Sequence, residues 1–513
     1  METKALQFLA LPAGWRMSTS GLYLLFIFLT VPAAWVIVNG WGSYAVEGFV
    51  LASIYLLVLA RWQRGVYGLL VYLPFAGAVT LALYPWEGSA WLNPVLYKDW
   101  LFVLPAYAGF SGAWILRRAV RPPVGRLPSA LLMGLALVVV GQMANPGVPS
   151  GLVALIGAKV WLFYLPLYPL AAALITTRRE LIFLMRTLVI LAVIPCVLGL
   201  AEYLLSQALG YRDVMEAIYG AAAYNATQEF TVREIGSGLI ERIPSTFTFV
   251  AQYFGFTLAM MVPCYALGRL DSSSRWRRFA QGMLIITVVA GLLSGARAAF
   301  VFVPILLALM YTLDRGIAGL ARVGMYSAGV LAAGFAVSWV TAVALYEHVS
   351  DLFTLYARGT AYNLLMEAIT TTPLGNGTGT NTGPARYAFN RPEMFNPIEN
   401  YYAKATYELG IPGLLLVLAV FGALIWTGLK AHRHLIEPGL RACSAALVAF
   451  LIAITLYNFK GWIIDLDPFN VYFWLFAGLL AKLSSLQACG QPLARVAAVR
   501  ERALTPRPGS AGA

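Results

Sequence analysis

The chain has 513 residues, 60% of them apolar and 12% charged, which is well outside the range of soluble globular domains. Its 36 Lys and Arg exceed its 23 Asp and Glu, giving a formal charge of +13. The positive residues fall between apolar runs, however, which argues against a nucleic-acid partner. The runs are about 17–25 residues long, the length that crosses a bilayer core as a helix. Alternation with a period of two is weak, which argues against a transmembrane barrel. The expected fold is an all-α polytopic membrane protein of about 14 transmembrane helices, with a large extracytoplasmic loop carrying short helices.

The first five spans are predicted at 20–39, 43–60, 66–85, 100–116 and 127–145. With a sixth at 152–175 they have short Pro- and Gly-containing connections and read as scaffold, residues 1–150 forming an N-terminal transmembrane unit. Glu47 lies one turn inside the second span and is expected to face the interface. The sixth span holds a lysine, Lys159. Intramembrane ionisable groups are costly and functional by default, but a lysine near a helix end also snorkels to water, so both readings stand.

After a span at 181–205 comes a first outer loop, 206–245, ending in Glu241-Arg242-Ile243-Pro244-Ser245. Pro244 and Ser245 suit a helix start, so the next span is predicted at 246–268, with Gln252 and Tyr253 within two turns of its outer end. Spans at 279–296 and 298–313 are joined through Ser294-Gly295-Ala296-Arg297 with almost no polar loop. Arg297 has no adjacent acid. It needs an anion, a polar cavity or the headgroup layer.

A span at 323–345 leads into the long outer segment 346–410. Apolar spacing predicts a surface helix over 351–372, with Arg358 and Tyr362 on one face. Pro373 ends it. The Gly/Asn/Thr run 374–379 that follows reads as a plain flexible connection or as an anion-wrapping turn. A second short helix is predicted from Asn396 to Gly410, with Pro397 at its first position and Glu399 completing a capping box. Spans at 411–429, 440–457 and 467–485 complete the set, and residues 490–513 read as a disordered tail. Cys196, Cys264 and Cys443 fall in spans and Cys489 in the tail, none with metal-ligand spacing. The N-terminus lacks a cleavable signal pattern, so the first span is expected to act as a signal anchor. Basic residues concentrate on alternate connections, which predicts both termini in the cytoplasm.

The residues that carry chemistry have a familiar order. They are Lys159 with its aromatic neighbours, Arg242-Ile243-Pro244-Ser245-Thr246-Phe247, Ser294-Gly295-Ala296-Arg297, Arg358 before Pro373-Leu374-Gly375-Asn376-Gly377, and Glu399-Asn400-Tyr401 before Tyr407-Glu408-Leu409-Gly410. In this the chain resembles the O-antigen ligase and Wzy-type polysaccharide polymerase superfamily of bacterial envelope proteins. The resemblance covers roughly 150–430, and the core is taken as 151–430 with C-terminal helices at 431–489.

It implies a metal-independent, GT-C-like inverting glycosyltransferase of the bacterial cytoplasmic (inner) membrane, its site facing outward and needing no cofactor. The donor is an undecaprenyl-diphosphate-linked glycan and the acceptor a second glycan. Besides the lipid bilayer, the partners implied include other polysaccharide export proteins. Arg242, Arg297, Arg358 and Lys159 are the expected diphosphate ligands, since arginine forks suit phosphate oxygens. Arg297 and Glu399 are the expected catalytic pair, with Asn400, Tyr401, Gln252 and Tyr253 toward sugar or acceptor. Tyr387, Phe389 and Tyr402 offer further aromatic faces, for sugars or for packing on the membrane. Ligases of this superfamily carry a histidine where this chain has Glu399, which favours polymerase over ligase. His348 is an alternative base. A secondary transporter or flippase and an inactive export-complex partner are the competing classes.

Overall fold

The computed structural model describes residues 42–83, 98–116, 124–221, 224–225, 232–235, 238–316, 321, 324, 360–388 and 398–504. The predicted spans at 20–39 and 323–345, together with Arg358, His348, Phe389, Asn396 and Pro397, lie outside these residues. The chain divides into one unit of residues 1–76 and 87–120 and another of residues 77–86 and 121–513. Eight helices among the described residues are long and apolar enough to cross a membrane: Trp62–Leu81, Gly151–Leu174, Arg178–Leu209, Val250–Leu270, Ser274–Leu293, Tyr401–His434, Pro438–Tyr457 and Phe469–Gln487.

In the first unit, α1 (Gly42–Ala60) and α2 (Trp62–Tyr72) lead toward α3 (Ala76–Leu83), which belongs to the second. Helix α4 (Leu104–Ser111) is flanked by π-helical turns at Asp99–Val103 and Gly112–Leu116. It lies close on α1 because Gly109 has no side chain: a Cβ there would stand 2.7 Å from the Leu59 carbonyl oxygen.

The second unit is a helical bundle. Its helices are α5 (Arg126–Gln142), α6 (Gly151–Leu162), α7 (Leu167–Leu174), α8 (Arg178–Leu209), α9 (Tyr211–Tyr219), α10 (Val250–Leu270), α11 (Ser274–Leu293) and α12 (Ala299–Arg315). They continue with α13 (Thr360–Thr371), α14 (Tyr401–His434), α15 (Pro438–Tyr457) and α16 (Phe469–Leu504). Helix α10 is the axis. It is apolar on every face, as a wholly buried helix must be, and packs against α8, α11 and α15 with Phe254, Phe256, Met260 and Met261 out of solvent. The expected outer loop 206–245 contains structure: α8 runs on to Leu209, α9 follows, and β1 (Val232–Ile235) pairs antiparallel with β2 (Gly238–Glu241). The expected irregular tail is helical as far as Leu504, in keeping with its Ala, Leu and Arg content.

The bundle has two chemically distinct ends. At one, Arg186 grips Asp271 through two bonds of 2.7 and 2.9 Å, Arg269 lies 3.2 Å from Asp314, and Arg178 lies 2.7 Å from Glu437. Burial by itself would raise the Asp271 carboxyl. The bonds from Arg186 and the Ser273 amide, with the charges of Arg186 and Arg277, hold it below the usual carboxylate range instead.

The other end is organised by a break in α14. At Gly410 the backbone leaves the helical region (φ 73, ψ −177), and Pro412 has no N–H to offer the Glu408 carbonyl. The Gly/Asn/Thr segment supplies what the break removes. Asn376 N–H donates to the Tyr407 carbonyl (2.7 Å), Gly377 N–H to that of Glu408 (3.0 Å), and Ile411 N–H donates to the Pro373 carbonyl (2.9 Å). The same segment caps α5: Thr378 donates its N–H to the Gln142 carbonyl (3.2 Å) and its hydroxyl to that of Val139 (2.7 Å). Gln142 and Asn145 side chains donate in return to the Leu374 and Gly375 carbonyls (2.7 and 3.0 Å). The anion-wrapping and flexible-connection readings of this run are both corrected, because these amides are engaged by protein carbonyls and Thr378 and Thr382 are fully buried.

Gly375 sits at φ 82, and a Cβ there would lie 2.6 Å from the Gly410 nitrogen, so Gly375→Ala should destabilise by about 2 kcal/mol. Gly422→Ala, in helix with open space around it, should be neutral or up to about 1 kcal/mol stabilising; thermal unfolding in detergent compares them, and equal melting temperatures would contradict the stitch. The stability Asp271 contributes is present above the ordinary carboxylate value and is lost as pH falls through its lowered folded value. Asp271→Asn should therefore flatten part of the acid limb of the stability–pH curve, and an unchanged limb would show that the grip on Arg186 contributes nothing.

Candidate functional site

The residues expected to bind diphosphate are partly brought together. Arg242 follows β2 directly, and the next residue, Ile243, donates its N–H to the Ser294 carbonyl (3.1 Å). This lays the root of the Arg242 side chain against Gly295, where a Cβ would meet Arg242 Cγ at 2.8 Å. Gly295 also has φ 78. Its lack of a side chain thus serves both the turn and the close approach. Arg297, two residues on, is half-buried at the entry to α12. Arg242 and Gly295 are 53 apart in sequence yet in direct contact.

What fixes this contact is Ser245, a non-glycine residue at φ 52. Three bonds hold it there: its N–H donates to Glu202 Oε2 (2.9 Å), its hydroxyl to the Pro195 carbonyl (2.6 Å), and its own carbonyl accepts from the Tyr219 hydroxyl (2.8 Å). Burial, with the Glu202 charge nearby, pushes the Tyr219 hydroxyl up, so it stays a donor. The adjoining Thr246 carbonyl accepts from Ala78 N–H (2.8 Å). Ser245 is therefore part of a buried, pinned connection, and α10 starts later than predicted, at Val250. Strained backbone of this kind persists only where its surroundings over-determine it.

A second cluster surrounds the first turns of α14. Asn400 caps the helix, accepting from the N–H groups of Tyr402 and Ala403 (2.9 and 3.1 Å) and donating to the Ala361 carbonyl (2.8 Å). The helix start is thus at Tyr401, and the capping box expected of Glu399 is corrected: Glu399 precedes the cap and is exposed. One turn in, Lys404 pairs with Asp465 at 2% exposure, its ammonium 5.0 Å from the centre of the Trp161 ring. Glu408 is fully buried, accepting from Trp161 Nε1 (2.6 Å), Asn381 N–H (2.7 Å) and the Thr382 hydroxyl (2.9 Å). Burial raises the Asp465 carboxyl, and Lys404 opposes the rise.

Several expected ligands take structural positions. Tyr253 is buried with its hydroxyl over Gly199, where a Cβ would stand only 2.1 Å away. Gln252 Oε1 accepts from the Thr248 N–H and hydroxyl (3.2 and 2.7 Å). Tyr401 is buried beside Trp161 and Phe421. Lys159 lies about 200° around α6 from both Gly157 and Trp161, half-buried with its ammonium 5.7 Å from the Phe163 ring centre. It is thus on the face away from the Glu408 cluster.

No protein-family model matches the chain, and no curated protein matches it. Among the described residues no three His, Cys, Asp or Glu side chains gather as metal ligands.

Sequence reasoning passed over Glu202, Lys404 and Asp465, and met Glu408 only as part of the Tyr407-Glu408-Leu409-Gly410 motif, with no role of its own. Lys404 and Glu408, four apart and hence on one helical face, were a visible signal; the partners on other helices were not. Replacing Ser245 tests the clamp. Ser245→Gly relieves the positive φ but loses the hydroxyl bond, whereas Ser245→Ala loses the bond and keeps the strain. Melting temperatures should fall in the order wild type, Gly, Ala, the last by about 2–3 kcal/mol, and an alanine variant as stable as wild type would contradict the clamp.

Proposed function

We propose that this protein is an inverting, metal-independent glycosyltransferase that polymerises undecaprenyl-diphosphate-linked repeat units on the outer face of a bacterial cytoplasmic membrane. With the N-terminus inside, the expected 14 spans put the Arg242–Arg297 end outward, where a flipped lipid-linked donor presents its diphosphate. The observation that carries the reading is the packing of Arg242 on Gly295, beside the turn that holds Arg297. Two guanidinium forks reaching one ligand from these adjoining turns would suit two phosphoryl groups.

In the proposed reaction the acceptor hydroxyl attacks the anomeric carbon as the bond from that carbon to the diphosphate oxygen breaks. Arg242 and Arg297 meet the charge that develops on the leaving diphosphate, a contribution of several kcal/mol in a dry site. Glu399, exposed just before the α14 cap, accepts the hydroxyl proton. A common neighbour links the two groups. Tyr401, two residues after Glu399, donates its N–H to the Asn458 and Gly461 carbonyls (2.9 and 3.1 Å), and Tyr457 contacts Phe302, on the second turn of the helix that Arg297 enters (4.7 Å between ring centres).

Incubation of purified protein with a lipid-linked repeat unit alone tests this directly. A ladder of longer products is expected from wild type. Arg297→Ala should abolish it with membrane insertion intact, Arg297→Lys should recover little, Glu399→Gln should lose turnover, and a chelator should have no effect. Normal chain extension by Arg297→Ala would overturn the diphosphate role. Transfer to a non-lipid acceptor without a ladder would indicate a ligase.

A further inference from the structure

At the basic end, the last turn of α10, the first turns of α11 and the start of α15 surround an open cleft of about 440 Å³, lined by Gly268, Arg269, Arg277, Gln281 and Pro438. Its two arginines are incompletely countered. Asp314 is shared by Arg269 (3.2 Å), Arg315 (3.6 Å) and the Tyr265 hydroxyl (2.8 Å). Arg277 is aimed by neutral acceptors, its Nη1 donating to the Asp271 and Ser272 carbonyls (3.0 and 2.8 Å). Asp271 itself is gripped by Arg186 through both carboxylate oxygens. The N-terminal end of the 20-residue α15 adds partial positive charge at Pro438.

The chemistry then changes in order along α11. Arg277, Gln281 and Ile285 lie at intervals of four on one stripe of the helix, about 6 Å apart along its axis. A guanidinium is followed by an exposed amide and then by an alkyl side chain that is 66% exposed. This matches the sequence of groups in a phospholipid: phosphate, ester linkage, acyl chain. A small inorganic anion would use the first of the three alone. We propose that the cleft binds the phosphate headgroup of an anionic phospholipid, with Arg277 and Arg269 on the phosphate, Gln281 at the ester level and an acyl chain along Ile285. Basic pockets between membrane helices take such headgroups on general electrostatic grounds, and the inference is independent of the enzymatic reading.

Full-length protein in neutral detergent, titrated with phosphatidylglycerol, phosphatidylcholine or inorganic phosphate, tests it by native mass spectrometry and melting temperature. Phosphatidylglycerol should bind and stabilise where the other two do not. Arg277→Ala should weaken binding about tenfold, the loss of one charge-assisted contact pair. Gln281→Ala and Ile285→Asn alter exposed positions and carry the test should Arg277→Ala not fold; each should weaken binding severalfold. Arg275→Ala, exposed about 200° around the helix, should leave it unchanged. Wild-type affinity in Gln281→Ala and Ile285→Asn, an equal loss in Arg275→Ala, or equal stabilisation by inorganic phosphate would each overturn the proposal.

Discussion

The interruption of α14 at Gly410 is the constraint on which the rest of this end of the bundle depends. A helix that breaks in apolar surroundings leaves carbonyl and amide groups that water cannot reach, each worth several kcal/mol if left unpaired. Here the partners come from Pro373, Asn376 and Gly377, more than thirty residues upstream of the break in sequence. The stitch fixes several things at once. It presses Gly379 against Gly157 of α6, caps the carbonyls of α5, and brings Asn381 and Thr382 to the Glu408 carboxylate. A buried carboxyl group so fully bonded is tolerable; loss of the Trp161 donor would leave its Oε2 without a partner, whereas Oε1 accepts from both Asn381 and Thr382.

The Ser245 clamp answers the same problem in another place. An irregular connection at the α10 entrance has its polar groups met by Glu202, Pro195, Tyr219, Ala78 and Ser294. Because the pinned segment begins one residue after Arg242, backbone satisfaction and arginine placement are a single feature. The opposite end works differently. There the connections are short and the order comes from ion pairs: Arg186 with Asp271, Arg269 with Asp314, Arg178 with Glu437. One end is held by backbone bonds, the other by charge pairs.

How much of this was legible in the sequence varied with the range of the interaction. The spans from 66 onward that fall among the described residues coincide with helices, because apolar length is a property of the segment itself. Arg242 and Arg297 were grouped by chemistry alone, and the packing of Arg242 on Gly295, two residues before Arg297, had no mark in the sequence. Helix starts misled where a local signal met a stronger distant one. Ser245 has the chemistry of a cap but is taken by Glu202, and Asn400 caps α14 although Asn396 and Glu399 have the better spacing. The Gly/Asn/Thr run reads as loose because its partners are carbonyls, which leave no mark on composition. Tyr253 and Tyr401 look like ligands by their nearness to a helix end but point into packed helices, a matter of rotation that spacing alone does not settle. Lys404 and Asp465 went unremarked, and Glu408 was given no role, since each makes sense only beside its partners on other elements.

The central claim is that Arg242 and Arg297 act on one diphosphate. Equilibrium binding of sugar-free undecaprenyl diphosphate to wild type, Arg242→Ala, Arg297→Ala and the double variant measures it most directly, as a double-mutant cycle. The account predicts weakening of about tenfold or more for each single variant and a coupling of at least about 1 kcal/mol between them, as for groups sharing a ligand. Wild-type affinity in either single variant, or strictly additive losses, would contradict it.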